Sequence, residues 1–459
     1  MSQPLSDHRP QIKRLPARLL AIYALPALPL AALTLPLYIV VPTFYTDVVG
    51  LPLAAVGAIL LAVRLIDAVS DPIVGWAADR YRPAFGRRRT ALSLAILPTA
   101  ISAYMLFAPP DGAGLGYLFG WATALAISFT LAYLPYAAWG AELTTDYRGR
   151  SRVAGFRESA TLIGTLLAIA LPFVIDGGRV AESAEGWHGL AVLGASVGAL
   201  FVIFSLIMLV RVPEPREHSR RFNVSLREGL AAMAANKPFL RLIFAYLLNG
   251  LANGIPATLF LFFVGARLGL PDWQGPLLFL YFACGVLGVP LALRLSKTLS
   301  KHRAWCWAML AACVVFVFVP FLDGMTGGIA FIGIVVLTGL ALGFDLSLPS
   351  SIQADVIDID TAATGEQRSG LYFSAWSLAT KLSLALGVGI AFPLLQLAGF
   401  DSAAGAGNDA PALFVLAALY GWAPILFKLI AIGLMWNFPL DEAFQQQLRR
   451  DIESVADPA

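Results

Sequence analysis

The sequence predicts an all-α membrane protein of twelve transmembrane helices arranged as two six-helix halves. Three observations carry that expectation. First, the chain of 459 residues is 58% hydrophobic and only 13% charged, about half the charged fraction of a soluble domain. Second, the apolar residues fall in blocks of roughly 20 to 28. At about 1.5 Å per residue these are long enough to cross a bilayer core of ~30 Å. Third, the longest interior polar segment, residues 212–237, lies near the midpoint and divides the blocks six and six.

The expected spans are 18–46, 52–79, 89–108, 115–144, 153–175, 188–211, 238–266, 272–296, 304–322, 328–357, 367–397 and 411–437. The breaks between them carry Pro, Gly and Asp, as at Asp47 to Pro52, Pro109 to Gly112 and Leu322 to Gly324. Gly and Asp tolerate turn backbone angles, and Pro cannot continue a helix. The first block follows a basic tail, but it is too long for a signal-peptide core and many similar blocks follow, so it reads as a retained helix. The organisation is therefore 1–211 as the first half, 212–237 as a linker, 238–440 as the second half and 441–459 as a tail. Within the linker, Val224 to Ala235 can form an interfacial amphipathic helix or a plain tether.

Of the 32 basic residues, about 27 fall in alternate loops and tails on one side, among them Arg9 to Arg18, Arg80 to Arg89, Arg148 to Arg157 and Arg211 to Arg241. The opposite loops hold Arg179 and Arg267. This asymmetry predicts a bacterial-type inner membrane protein with both termini cytoplasmic. Cys284, Cys306 and Cys313 show no metal or disulfide spacing and read as small hydrophobes in helices. No nucleotide-binding motif, catalytic triad or nucleic-acid module is visible, which points away from an enzyme.

The most informative segment lies in the second span. Arg64, Asp67 and Asp71 share one helical face because positions three and four apart are neighbours. Each such charge costs roughly 2.5–3.5 kcal/mol at a helix centre, so the stripe must face the bundle interior or water. Two carboxylates one turn apart can hold a small cation, or can share a proton because like charges raise one pKa. The alternative is a structural Arg64–Asp67 ion pair, which leaves Asp71 without a partner. Further along, Asp79, Arg80 and Arg87 lie at the cytoplasmic end of the same span. They can bind neighbouring helix ends and stabilise one transport state, besides setting topology.

Asp67, Ala68, Val69, Ser70, Asp71, Pro72, Gly75 and Trp76 resemble the helix-two signature of the glycoside–pentoside–hexuronide:cation symporters of the major facilitator superfamily. Tyr133, Pro135, Tyr136, Trp139, Gly140 and Glu142, followed by Asp146 to Glu158, are similar to that family's helix four to five junction. Ala354, Asp355 and Asp358, then Arg368, Gly370, Tyr372 and Lys381, are similar to its helix ten to eleven region. The resemblance implies cation-coupled symport of a sugar or glycoside by alternating access, Na⁺ or H⁺ being the coupling ion and no other cofactor being required. It implies Asp67 and Asp71 as cation ligands, and Lys381 and Arg157 as substrate-side residues. It also implies a protein that works as a monomer in the lipid bilayer.

The residues themselves support Lys381, which lies about fourteen residues into an apolar span and needs a carboxylate or substrate partner unless it snorkels. Lys428 is nearer the end of the last span, where snorkelling is the better reading. The family's acidic sugar-binding positions on helices one and four fall here near Ala31 or Ala32 and at Tyr133. Neither is acidic, so galactoside specificity is not expected, and a lysophospholipid or other amphiphile is the rival cargo. Asp345, Asn249 and Asn253 are further candidates for the pocket or for bonds between helices. Tyr133, Tyr372 and Trp376 can stack on a sugar face. Glu142, Arg148 and Asp355 lie near cytoplasmic ends and are expected to pair across a gate.

Overall fold

The computed structural model describes residues 15–81, 83–175, 188–214, 225–401 and 407–448. The first span is two helices, α1 (Ala17–Ala24) and α2 (Ala27–Asp47), broken at Leu25–Pro26, where proline has no N–H to donate to the preceding turn. Then follow α3 (Leu53–Arg80), α4 (Arg87–Phe107), α5 (Leu115–Glu142), α6 (Tyr147–Ile175) and α7 (His188–Arg211). The linker forms α8 (Leu226–Ala235). The second half holds α9 (Lys237–Phe262), α10 (Gln274–Leu299), α11 (Lys301–Phe316), α12 (Gly324–Thr364), α13 (Ser369–Leu397) and α14 (Ala410–Met435). Ten described segments are long and apolar enough to cross a membrane. With α3 and α6, which are 28 and 29 residues long and rich in charge, the described helices make twelve spans.

α3 shows how sequence places the site. Leu61, Leu65, Val69 and Ile73 repeat every four residues and are 50–65% exposed, a face suited to lipid. Asp67 and Asp71, on the opposite face, are buried. The charged stripe therefore faces inward, as its desolvation cost demands. Close helix approach fixes the neighbouring turn. A side chain added at Gly75 would sit 2.5 Å from the Gly370 carbonyl oxygen of α13, so α3 and α13 meet backbone to backbone there.

Several boundaries differ from expectation. α4 begins at Arg87 rather than residue 89, which draws Arg87 and Arg88 into a helix. α12 runs 41 residues, about 60 Å and twice the hydrocarbon thickness. Its extension carries Asp358 and Asp360 and stops at Gly365, whose φ of 75° supplies a left-handed C-terminal cap. α8 begins with a capping box in which the Ser225 side chain accepts from the Glu228 backbone and Glu228 accepts in return. The basic tail at Arg9, Lys13 and Arg14, the loop with Arg179, and much of the linker lie outside the described residues.

Candidate cation and substrate site

Asp67 and Asp71 of α3 meet Thr130 of α5 and Lys381 of α13. Lys381 Nζ lies 2.6 Å from Asp67 Oδ2 and 2.7 Å from Asp71 Oδ2. Thr130 Oγ1 lies 3.0 and 2.9 Å from the other oxygens of the two carboxylates. Arg64 stands farther off, 3.9 Å from Asp67 Oδ2, and its side chain is 38% exposed. Two carboxylates and two cations balance, which offsets the desolvation that would otherwise expel the stripe from the membrane interior. Asp71 thus has a partner, and it comes from the other half of the protein. Thr130 was missed in the sequence because a threonine in an apolar helix commonly bonds only its own backbone.

A cavity of ≈ 310 Å³ adjoins this cluster. Arg64, Asp67, Lys381 and Thr34 give it polar atoms, and the rest of its wall is Leu, Val, Ala and Phe129. Leu60 and Ala122 place it on the side of Asp67 away from the linker. The linker side is sealed. Arg88, fully buried, donates to Asp79 Oδ1 at 2.7 Å and to Glu142 Oε1 at 2.6 Å. Arg87 donates to Glu142 at 3.0 Å and to the Gln367 carbonyl at 3.3 Å. Asp79 accepts from the backbone N–H groups of Gly370 and Leu371, both at 2.9 Å. It thereby caps the N-terminus of α13 from the other half, where a carboxylate is favoured by the helix dipole.

A second set of bonds joins α6 to α12. Arg150 donates to Asp358 at 2.6 and 3.0 Å and to Asp355 at 3.0 Å. Lys301 of α11 holds the other Asp355 oxygen at 2.6 Å. Gln445, beyond α14, donates to Asp358 and to the Thr145 carbonyl, tying the tail across both halves. Of the expected gate residues, Asp79, Arg87, Glu142 and Asp355 therefore lie in these buried contacts. Arg148 instead pairs at the surface with Glu442, and Arg80 lies over the Trp76 ring. Arg88, Arg150, Asp358 and Lys301 are additional members. Arg88 belongs to the basic cluster expected to bind neighbouring helix ends, but its partners, like those of Arg150, are distant in sequence and carry no local signal.

The expected substrate residues do not gather in one place. Arg157 is buried and paired with its neighbour Glu158 at 2.6 Å. Tyr133 stacks beside Phe129 of the cavity wall. Trp376 stacks on Tyr246 with centroids 3.7 Å apart. Tyr372 is fully buried near the linker end, where its hydroxyl accepts from Asn236, so in this structure it packs rather than faces a cavity. Asn249, Asn253 and Asp345 form a separate cluster with Lys428 in the second half. Lys428 does not snorkel. It is 2% exposed, because α9 and α12 supply its oxygen partners inside the bundle.

Residues 22–442 match the sequence profile of a family described as MFS/sugar transport protein. The chain belongs to that family. It is 26% identical over 398 residues to the inner membrane symporter YicJ of Escherichia coli (strain K12), with 84% of each chain covered. It is 24% identical to the isoprimeverose transporter of Lactiplantibacillus pentosus, covering 86% of this chain and 82% of that one. It is also 24% identical to the human sodium-dependent lysophosphatidylcholine symporter 1, covering 87% and 79%. Among solved structures, the proton:xylose symporter XylE superposes with a TM-score of 0.63 at 14% identity, covering 96% of this chain and 98% of that one. This likeness bears out the major facilitator fold of twelve helices in two halves.

Proposed function

We propose that this protein is a secondary active symporter that couples a cation at Asp67 and Asp71 to the movement of a sugar or glycoside. The observation that carries the reading is the Lys381 ammonium, held 2.6 and 2.7 Å from the two carboxylates. It occupies the place a small coupling cation would take, and so acts as a tethered competitor for it. Na⁺ would find hard oxygen ligands in Asp67, Asp71 and Thr130; a proton would neutralise one carboxylate. Either ion releases Lys381 toward the adjoining cavity, where its ammonium can donate to substrate oxygens. Substrate and cation then bind cooperatively, because each favours the displaced position of one side chain.

The sealed linker end reads as cytoplasmic from the distribution of arginine and lysine, which makes this an outward-facing state in a bacterial-type inner membrane. Moving inward requires parting the Asp79–α13 cap and the Arg150–Asp358 bonds. A second reading, an amphiphile as cargo, is favoured by the largely aliphatic cavity wall and by Ala31, Ala32 and Tyr133 standing at the positions aligned with acidic sugar ligands.

A thermal-stability screen separates these readings. Purified protein is melted with sugars, alkyl glycosides, uronates and lysolipids, with and without Na⁺ and across pH. The cognate class is expected to raise the transition more when the coupling ion is present. A ligand at a hundred times its Kd contributes about 2.7 kcal/mol. Stabilisation by sugars or glycosides that no ion enhances would sink the coupling, and stabilisation by lysolipids alone would establish the second reading.

A further inference from the structure

The second half contains a cavity of ≈ 130 Å³ that the transport cycle above does not use. Phe260, Tyr281, Phe331 and Tyr420 supply aromatic walls, and Asn253, Asp345 and Lys428 supply its polar end. Asp345 and Lys428 are 6% and 2% exposed. Asp345 Oδ1 accepts from Trp305 Nε1 at 2.7 Å, and its Oδ2 accepts from Asn253 Nδ2 at 2.9 Å. Lys428 Nζ donates to Asn249 and Asn253 at 2.7 and 2.8 Å.

The Lys428–Asp345 pair itself is loose. Its separation is 3.5 Å, whereas Lys301–Asp355 and Lys381–Asp67 are both 2.6 Å. A buried ion pair gains from its closest approach, and here Asn249, Asn253 and Trp305 share the hydrogen bonds of two groups that both line the cavity. Tyr420, 6% exposed, lines the same space, and its hydroxyl forms no hydrogen bond among the described residues. Buried polar groups ordinarily have partners, so the cavity is built with hydrogen-bonding capacity left over.

We infer that this cavity is a binding site for a neutral molecule of one aromatic ring bearing a hydroxyl group. Size sets the ring, since a cavity on the order of 150 Å³ with apolar walls takes benzene. Charge sets neutrality. Lys428 and Asp345 balance one another, and a charged ligand would leave a net charge in a low-dielectric interior. The loose pair sets the hydroxyl, which can replace the long 3.5 Å Lys428–Asp345 bond by donating to Asp345 Oδ2 and accepting from Lys428 Nζ. An apolar cavity with a few convergent polar groups has the usual composition of a small-molecule site. This site lies among α9, α10, α11, α12 and α14, apart from the Asp67–Asp71 cluster.

The test is fluorine NMR on the full-length protein in detergent, with para-fluorophenol, para-fluorotoluene and para-fluorobenzoate as probes. Para-fluorophenol is expected to bind saturably and to be displaced by unlabelled phenol. The toluene and benzoate probes are expected to bind at least about tenfold more weakly, because each lacks a neutral group that both donates and accepts. Thr338→Phe, which fills the cavity from its wall, should abolish binding, and Asp345→Asn should weaken it about tenfold. Folding of each variant is read from its melting transition and elution profile; if Thr338→Phe does not fold, Ala341→Leu fills the same space. Absence of a saturable component, equal binding of phenol and toluene probes, or undiminished binding in a folded filled variant would overturn the assignment.

Discussion

Asp71→Asn is expected to abolish uphill uptake while leaving the protein folded. Asp71 is fully buried, and asparagine keeps its volume and its contact with Thr130. The change removes one of the two negative charges proposed to hold the cation. Lys381 retains Asp67 at 2.6 Å and so remains a competitor for the weakened site. One charge crossing 100 mV supplies roughly 2.3 kcal/mol, which at about 1.4 kcal/mol per tenfold supports accumulation of about fifty-fold. Uptake of the cognate substrate into energised vesicles should therefore fall from a gradient of that order to equilibration at most. Full cation-driven accumulation by Asp71→Asn would refute the role given to this residue.

Arg88→Met is expected to have the largest effect on stability. The guanidinium is completely buried and serves Asp79, Glu142 and the Ala78 carbonyl together. Its loss takes a charged partner from two buried carboxylates, and breaking such a pair costs about 3–5 kcal/mol. Glu142 keeps Arg87, and Asp79 keeps the N-terminus of α13, so the cost should fall within that range rather than above it. The thermal transition should drop sharply, and the linker-side seal should loosen. Ser151→Cys provides the readout, since the Ser151 hydroxyl lies 3.0 Å from that of Ser351 across the two halves. A hydrophilic maleimide should modify the cysteine slowly in the otherwise wild-type protein and fast with Arg88→Met. Arg80→Met is the comparison, because Arg80 is exposed and lies over Trp76. Equal effects of the two substitutions would remove Arg88 from the seal.

What could be read in the sequence follows the energetics of burial. An apolar block long enough to span a bilayer has few alternatives, so the twelve spans are legible, with differences at ends such as Arg87 and Thr364 and at the break at Leu25–Pro26 inside the first span. A charge at membrane depth must have a partner, so Asp67, Asp71 and Lys381 stand out in the sequence itself. The identity of partners was not legible. Thr130 gives no signal in its own helix, and Arg88 and Arg150 sit in basic runs where topology already accounts for positive charge. Lys428 departs from the expected snorkelling because nearness to a helix end does not by itself give exposure. The oxygens of Asn249, Asn253 and Asp345, which come from two other helices, keep it inside. The candidate substrate residues failed to converge for a related reason. A residue type suited to stacking or hydrogen bonding, such as Tyr372 or Arg157, is equally suited to packing or to an internal ion pair.

In the proposed cycle Lys381 stands in for the coupling cation until the cation displaces it. The direct test is the affinity of the purified protein for Na⁺ and for protons, by calorimetry over a pH series, before and after Lys381→Met. Removing a tethered competitor must raise affinity for whichever ion couples: Na⁺ binds at least about tenfold more tightly, or the proton-binding transition moves upward by at least about one pH unit. Substrate should then no longer enhance ion binding. Unchanged or weaker affinity for both ions in a folded Lys381→Met protein would show that Lys381 does not compete with the coupling ion.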